Sequence, residues 1–287
     1  MIYKLLLLGI ITGQLFVNKT LAQTNMGQES ATRESAVLYD QAYGTDRWQK
    51  MDIYLPANRN DSTVVMIIVH GGAWVRGDKS EFNPYVSALQ RLLPNYAFVN
   101  INYRLFRNGK NGFPAQEEDM KSAVLYLEKR LDELELPKRI VLLGASAGGH
   151  LALLQAYKNA GTIKPAAVIS LFGPTDMMDL YNNTSNPDVA PMLTSLFGTT
   201  PAEDPDVYRR SSPVEYVTSS SPPTLLLQGG RDRMVHEGQA KILQKKLDSL
   251  NVINELKIYP EEGHGWTGPA LFDSFVRVAS FLKRNAR

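Results

Sequence analysis

Short apolar runs and amphipathic segments alternate along most of the chain. The apolar runs, rich in β-branched residues, predict strands at residues 51–55, 64–70, 96–103, 140–144, 166–172, 224–228 and 255–259. Between the strands, apolar side chains recur at helical spacing at Met120, Val124, Leu127, Leu131 and Leu134, at Ile242, Leu243, Leu247 and Leu250, and at Phe272, Phe275, Val278 and Leu282. Because strands that are apolar throughout are covered on both faces, the alternation predicts an α/β fold with a mostly parallel central sheet and helices on both faces.

Two parts of the chain depart from this alternation. Residues 23–45 are rich in Gln, Ser, Thr and Gly, which predicts a flexible N-terminal segment, with ordered structure beginning near Tyr43. Residues 176–223 carry paired prolines and a run of hydroxyl side chains, which predicts short helices and loops over the edge of the sheet. Such an insertion either shapes a pocket or lies on the surface without a functional role. The remaining length predicts one catalytic domain over residues 46–287.

The first 22 residues predict a secretory signal peptide. Lys4 is followed by an apolar run over residues 5–11 and then by Thr-Leu-Ala at residues 20–22, which predicts cleavage after Ala22. A membrane anchor is the alternative, but the run is well short of the roughly 20 apolar residues that span a bilayer. The segment therefore predicts a periplasmic or secreted protein that has no membrane contact once the signal is removed.

Composition excludes several kinds of site. The chain has no cysteine, which excludes disulfides, thiolate metal sites and lipid-modified cysteine. Its formal net charge is +2, and no basic run is interleaved with aromatic residues, so no nucleic-acid partner is predicted. No histidine and carboxylate cluster has metal-ligand spacing, so neither a metal nor another cofactor is predicted. The composition does not define an oligomeric state.

The sequence Gly-Ala-Ser-Ala-Gly at residues 144–148 is the strongest local signal for chemistry. It follows a predicted strand and precedes the helical run 151–157, the context in which a G-x-S-x-G motif raises its serine above the carboxyl edge of a sheet. Small neighbours leave room for the strained turn, and the helix N-terminus favours negative charge beside the hydroxyl. The alternative is a small-residue turn needed only for packing. With these flanks, the motif predicts Ser146 as a nucleophile.

A serine hydroxyl needs a general base, and the chain contains four histidines. His264 lies between two glycines just past the last predicted strand, so its loop can reach over the sheet toward Ser146. The other three suit different roles: His70 belongs to a glycine-rich loop, His150 lies one helical turn beyond the serine, and His236 begins a helix. The elimination predicts His264 as the base.

Asp232 is predicted to orient the histidine and to stabilise its protonated form. It follows a predicted strand and a Gly-Gly turn, and it completes the chain order Ser, Asp, His that is expected of this fold. Asp176 also follows a strand and is the alternative. Glu261 and Glu262 lie too near His264 in sequence to reach its ring from the required direction.

The sequence His-Gly-Gly-Ala-Trp at residues 70–74 predicts donors for the oxygen that becomes negative during acyl transfer. Glycines let the backbone approach the site, so Gly71 and Gly72 are the predicted donors, with the N–H of Ala147 completing the oxyanion hole. Which of Gly71, Gly72 or Ala73 donates stays open at this stage. A tight turn after a buried strand explains the glycines but not their coincidence with the serine motif.

Several aromatic side chains lie near the predicted mouth of the site. Trp74 and Trp266 are the predicted substrate-binding residues, and Tyr181 and Tyr208 are further candidates to stack on sugar or phenolic rings. Ordinary packing is the alternative for each of them.

Several motifs occur together: Asp-Ile-Tyr-Leu-Pro at 52–56, His-Gly-Gly-Ala-Trp at 70–74, Gly-Asp-Lys at 77–79, Asn-Tyr-Arg at 102–104, Gly-Ala-Ser-Ala-Gly-Gly-His at 144–150 and Gly-His-Gly at 263–265. This set resembles the α/β-hydrolases related to hormone-sensitive lipase, and most closely the branch that holds the bifunctional acetyl-xylan and feruloyl esterases. The likeness runs from about Tyr43 to the end. It implies the α/β-hydrolase fold and a triad of Ser146, Asp232 and His264, in agreement with the elimination above.

The chain departs from the family pattern in two ways. Ala73 replaces the last glycine of the usual His-Gly-Gly-Gly loop, and the N-terminal helices that form a large cap in lipase-like members are absent, so a minimal cap is expected. A long acyl chain is then expected to find less apolar cover than in the capped members, which favours short acyl groups such as acetyl. Arg104 and Asp119 also resemble family positions and are predicted to be structural partners.

The resemblance and the signal segment predict an exported serine carboxylesterase. Its expected substrate is a small-molecule or carbohydrate ester of a short acyl group, such as an acetyl or feruloyl group on plant polysaccharide, cleaved through an acyl-serine intermediate. One alternative is an amide hydrolase like the kynurenine formamidases, which share the His-Gly-Gly-x-Trp loop. Another is a catalytically silent binding protein on the same fold.

Overall fold

Eight strands form one continuous sheet in the computed structural model, which describes residues 33–286. The strands are β1 Ala36–Ala42, β2 Lys50–Leu55, β3 Val64–Val69, β4 Tyr96–Ile101, β5 Ile140–Ala145, β6 Ala167–Leu171, β7 Thr224–Gly229 and β8 Asn254–Tyr259. They lie in the order β1-β2-β4-β3-β5-β6-β7-β8. β1 and β2 pair antiparallel with their neighbours, whereas every pair from β4 to β8 is parallel.

Helices cover both faces of this sheet. They are α1 Asn83–Leu92, α2 Ala115–Arg130, α3 Ala147–Tyr157, α4 Met177–Asn183, α5 Val189–Phe197, α6 Pro205–Arg210, α7 Gly238–Ser249 and α8 Gly268–Asn285. Short 3₁₀ helices span Lys79–Phe82 and Pro213–Tyr216. The core between the sheet and α2 to α7 is separate from the core between the sheet and α1 and α8.

The continuous apolar runs exist because the central strands are buried on both sides. All six residues of β3 are buried, and successive side chains enter opposite cores: Val65, Ile67 and Val69 face one core, and Val64, Met66 and Ile68 face the other. The seven predicted strands are confirmed, with ends that move by at most two residues. The predicted parallel sheet with helices on both faces is confirmed as well.

β1 was missed by the sequence analysis. The prediction that ordered structure begins near Tyr43 is wrong for residues 36–42, because they form β1 and pair with β2. Five of the seven β1 residues are exposed and the other two are half-buried, so no alternation of apolar and polar residues marks this strand. Residues 1–22, the predicted signal peptide, and residues 23–32 lie outside the described part of the chain.

The segment at residues 176–223 forms the short helices α4, α5 and α6, as predicted. Leu180, Leu193 and Tyr208, one from each helix, are buried in the same core as α2 and α3. This segment therefore extends the cover of one sheet face. Across residues 33–286, none of the helices combines the length and the apolar character needed to cross a bilayer.

Arg104 and Asp119 are structural partners, as predicted. The Asp119 carboxylate on α2 is fully buried and accepts hydrogen bonds from Arg104 N at 2.7 Å, from Arg104 Nε at 2.9 Å and from Gln49 Nε2 at 2.7 Å. The Arg104 guanidinium also lies 2.7 Å from it in an ion pair. The carboxylate thus joins α2 to the segment after β4 and to the loop before β2.

We expect Asp119→Ala to lower the free energy of unfolding by about 3 kcal/mol, because a partly buried guanidinium and two further donors lose their acceptor. Glu118→Ala, its neighbour on α2, is the matched control: Glu118 is 60% exposed and lies 3.7 Å from Arg104, so its loss is expected to be below about 1 kcal/mol. Urea unfolding followed by circular dichroism measures both values. Equal, small losses would contradict the structural role of Asp119.

Candidate active site

Ser146, His264 and Asp232 meet at the carboxyl edge of the sheet. His264 Nε2 lies 2.8 Å from Ser146 Oγ, and His264 Nδ1 lies 2.7 Å from Asp232 Oδ2. Ser146 follows β5, Asp232 follows β7 and His264 follows β8, and these strands are parallel, so their carboxyl ends share one edge. The structure therefore brings the three residues singled out by the sequence into one hydrogen-bonded line.

The turn that carries Ser146 is strained and tightly packed. Ser146 has φ +53° and ψ −121°, a region that L-residues rarely occupy. A Cβ on Gly144 would lie 2.1 Å from the carbonyl oxygen of Gly148, and one on Gly148 would lie 2.1 Å from that of Val69. Both glycines are therefore required by close backbone approach, which lets β5 turn into α3 with the serine between them.

The Asp232 carboxylate is held from both sides. Its Oδ1 accepts backbone hydrogen bonds from Met234 and Val235, each at 2.9 Å. Its Oδ2 accepts from Gln228 Nε2 at 3.2 Å in addition to His264. The side chain is 0% exposed, so the carboxylate has one orientation, directed at the imidazole. This arrangement holds the His264 ring with Nδ1 protonated and Nε2 directed at the serine.

Asp176, the alternative to Asp232, caps a helix. Asp176 is the N-cap of α4, where its Oδ1 accepts from the backbone N–H of Asp179 at 3.0 Å. His236 Nε2 lies 2.9 Å from Asp179 Oδ2, near the start of α7. Residues 33–286 contain no cluster of three or more His, Asp or Glu side chains that could hold a metal ion.

His150 is packed inside the protein, as predicted. Its ring is 0% exposed, its Nε2 donates to the carbonyl oxygen of Ser211 at 2.7 Å, and the Trp74 ring meets it edge-on with centroids 5.2 Å apart. Burial lowers the pKa of His150 to about 4. The ring is therefore neutral at neutral pH.

His70 and Tyr103 fix the glycine loop from below. Their rings stack with centroids 4.3 Å apart, and both donate to the carbonyl oxygen of Gly71, His70 Nδ1 at 2.7 Å and Tyr103 Oη at 3.1 Å. In a trans peptide the N–H of the next residue points away from the carbonyl, so the N–H of Gly72 faces away from this buried pair. The loop then turns with Gly72 at φ +101°, where a Cβ would lie 2.1 Å from Arg76 O.

A cavity of about 610 Å³ opens beside Ser146. Gly71, Gly72 and Ala73 of the glycine loop line it, together with His264 and Trp266. The apolar side chains on its walls include Tyr85 and Leu89 of α1, Leu143 and Leu171 of the sheet, and Phe275 and Val278 of α8. α1 was not identified from the sequence, and it contributes apolar cover beside Ser146 together with α8.

The predicted aromatic residues take different positions. Trp266 lines the cavity, and its Nε1 donates to Ser274 Oγ at 2.8 Å. Trp74 is only 2% exposed and packs on His150 below the loop, so the structure corrects the prediction that it binds substrate. Tyr181 and Tyr208 pack edge-on against each other, with centroids 5.5 Å apart, and neither lines the cavity.

Phe172 is a site residue that the sequence analysis missed. It follows β6 with φ +43°, an uncommon conformation for a bulky side chain. Its ring lines the cavity and meets His264 edge-on, with centroids 4.9 Å apart, and Trp266 likewise at 5.2 Å. Strained residues that are held by their surroundings tend to cluster at functional sites, and this ring contacts the imidazole directly. Backbone strain leaves no pattern in the sequence that could have identified it.

A mostly parallel sheet with a serine, histidine and aspartate in line at its carboxyl edge defines an α/β-hydrolase. The family model described as BD-FAE matches residues 51–247. The chain belongs to this family, within the hydrolases related to hormone-sensitive lipase, and the resemblance of its motifs is confirmed.

Two similar proteins come from Mycobacterium tuberculosis. "Esterase LipC" is 28% identical over 246 residues, which cover 78% of this chain and 58% of that protein. "Probable carboxylic ester hydrolase LipM" is 29% identical over 217 residues, which cover 71% of this chain and 48% of that protein. The chain thus spans about half the length of these curated relatives.

Two solved structures are similar over most of the chain. A truncated form of a carbohydrate esterase from gut microbiota is 25% identical with a TM-score of 0.76, and the match covers 87% of this chain and 96% of that chain. A bifunctional GH43-CE protein of Bacteroides eggerthii is 26% identical with a TM-score of 0.77, and the match covers 88% of this chain and 35% of that chain.

The lowered pKa of His150 predicts a pH dependence of stability. The folded value of about 4 lies below the unfolded value of about 6.5, so the unfolded state binds one more proton between these values, and stability is lost as the pH falls through this window. We expect His150→Gln, which keeps an N–H for Ser211, to reduce the slope of unfolding free energy against pH by about 1.4 kcal/mol per unit between about pH 6 and pH 5.

Urea unfolding at several pH values measures this slope. Above about pH 7.5 His150 is neutral in both the folded and the unfolded protein. The plots of unfolding free energy against pH are therefore expected to be parallel there for the variant and the wild type. Parallel curves over the whole acid range would show that the imidazole does not carry this dependence.

Proposed function

We propose that the protein is a serine carboxylesterase that cleaves acyl esters of small molecules or carbohydrates. The observation that carries the proposal is the line of Ser146 Oγ, His264 and Asp232, joined by contacts of 2.8 Å and 2.7 Å. Esterases among the similar proteins support the reaction class.

The geometry supports acylation by a general-base mechanism. Ser146 Oγ attacks the carbonyl carbon of the ester while His264 Nε2 takes the hydroxyl proton, and the negative Asp232 stabilises the imidazolium that forms. The carbonyl oxygen becomes negative as the tetrahedral intermediate forms. The bond to the alcohol oxygen then breaks, and His264 transfers its proton to that oxygen, which leaves the acyl group on Ser146.

Deacylation repeats these steps with water. His264 takes a proton from a water molecule as its oxygen attacks the acyl carbon, and the proton returns to Ser146 Oγ when the ester bond to the serine breaks. The products are the carboxylic acid and the free enzyme.

Two backbone N–H groups are placed to stabilise the negative oxygen. Ala147 is the first residue of α3, where the N–H has no acceptor within the helix and the helix dipole favours negative charge. Gly72 is the favoured second donor, because the carbonyl of Gly71 is held below the loop and the next N–H faces the opposite way. Gly71, the other donor predicted from the sequence, contributes its carbonyl to this arrangement.

Carbohydrate esters are the proposed natural substrates, with acetyl and feruloyl groups as the candidate acyl groups. One support is that two similar structures are named as a carbohydrate esterase and as a bifunctional GH43-CE protein. The other is the signal segment predicted at residues 1–22. Because of that segment, we also propose that the protein is exported to the periplasm or secreted. Export stays a prediction from the sequence.

We expect Ser146→Ala to lower kcat/KM for p-nitrophenyl acetate, and for release of acetate from acetylated xylan, by at least about 10³-fold, because the variant removes the hydroxyl that His264 Nε2 contacts. A fluorophosphonate probe is expected to label the wild type and not the variant, and Ser87→Ala, an exposed serine on α1, is the matched control. No label on a folded wild type would favour a silent binding protein. Faster cleavage of p-nitroacetanilide than of the ester would favour an amide hydrolase.

Tyr103→Phe tests the orientation of the Gly71 to Gly72 peptide. The variant removes one of two donors to Gly71 O, and we expect kcat to fall by about 2- to 10-fold with KM unchanged, because the donor to the oxyanion matters most in the transition state. Tyr157→Phe loses a comparable buried contact, 2.7 Å to Thr224 Oγ1, at the far end of α3 and serves as the control. An equal effect of the two variants would mean that Tyr103 acts only through stability.

A further inference from the structure

The cavity beside Ser146 is much larger than an acetyl group. Its volume is about 610 Å³, within the range of roughly 300–1,000 Å³ typical of pockets that enclose drug-sized ligands. A water molecule occupies roughly 30 Å³ of liquid, so the space corresponds to about 20 waters, whereas an acetyl group adds only two carbons. An ester of acetate therefore leaves most of this cavity unused.

The cavity has an open end and a closed end. Ser146 and His264 lie at the open end, where the His264 side chain is 24% exposed. Leu89 and Val278 lie one helical turn beyond Tyr85 and Ser274, and they are each only 1% exposed. Leu143, at 2% exposure, lies two residues below Ala145 on β5. These three side chains therefore close the inner end, between α1, the sheet and α8.

The walls suit an apolar group. Tyr85 of α1 and Phe275 of α8 are in contact, with ring centroids 5.8 Å apart. Near His264, Phe172 and Trp266 form an edge-on pair with centroids 5.2 Å apart. Arg76 and Glu81 are the basic and acidic side chains among the lining residues, and both residues are exposed. The interior thus offers apolar contact with little to pair a charge.

A closed cavity fits the acyl part of the substrate better than the alcohol part. The alcohol must accept a proton from His264 and leave, and water must then reach the same imidazole, so this side of the site has to stay open. The acyl group stays bonded to Ser146 through both steps and can remain in a space with no exit. A polysaccharide alcohol is also too large for a cavity that ends at three buried side chains.

We propose that this cavity is the acyl pocket and that Leu89, Leu143 and Val278 set the largest acyl group that the protein accepts. The proposal rests on the proposed esterase function and narrows it: acyl groups longer than acetyl are preferred, and acetyl is accepted as a smaller, poorer substrate. Leu89 and Val278 come from opposite walls, so enlarging either one shortens the same space.

The test compares acyl chain length in full-length wild type, Val278→Phe and Leu89→Phe, with p-nitrophenyl esters from acetate to decanoate. Wild-type kcat/KM is expected to rise about fourfold per added methylene until the chain reaches the closed end. Each variant is expected to shift the optimum at least two carbons shorter, with the largest loss of kcat/KM for the longest esters. Val276→Phe, on the same helix but 38% exposed and outside the cavity, is expected to match wild type.

A second series, acetate esters of alcohols of increasing length, separates the acyl group from the alcohol. Its profile is expected to be the same in all four proteins. If the profile shifts along this series instead, or if folded Val278→Phe and Leu89→Phe keep the wild-type optimum, the acyl pocket is refuted while the esterase function stands. If the wild type hydrolyses no ester of either series, the proposed function fails and the acyl pocket fails with it.

Discussion

The close approach of two loops at the carboxyl edge of the sheet is the constraint on which the site depends. A side chain on Gly148 would meet the carbonyl oxygen of Val69 at 2.1 Å, and one on Gly71 would meet Ala145 O at 3.0 Å and Ser146 Cβ at 3.3 Å. The loop after β3 and the turn after β5 are therefore in backbone contact. Because of this contact, Ser146 on one loop and Gly71, Gly72 and Ala73 on the other line the same cavity.

Buried polar groups hold this contact in one geometry. His70 and Tyr103 bind the Gly71 carbonyl from below, and Arg104, the next residue, is held by the buried carboxylate of Asp119. A glycine loop has many accessible conformations, so its orientation has to come from such partners. These groups orient the Gly71 to Gly72 peptide without lining the cavity themselves, and the proposed stabilisation of a developing charge requires such a fixed orientation.

The two faces of the sheet have different tasks. On one face, α4 to α6 add buried side chains to the core around α2 and α3, and the residues of this segment do not line the cavity. On the other face, α1 and α8 leave a space between them that reaches from Ser146 down to Leu89 and Val278. The apolar cover near Ser146 thus comes from helices that pack on the sheet, and cap helices are not needed to provide it.

The sequence by itself determined the alternation of strands and helices, the turn that carries Ser146, and the pairing of Asp232 with His264 as candidates. These features depend on periodicity and on the chemistry of short turns, which neighbouring residues encode. Only the tertiary structure decided that residues 36–42 form an edge strand, that Trp74 lies under the loop and that Phe172 contacts the imidazole. It alone joined Leu89 to Val278 around one cavity, because contacts between segments far apart in the chain leave no local pattern.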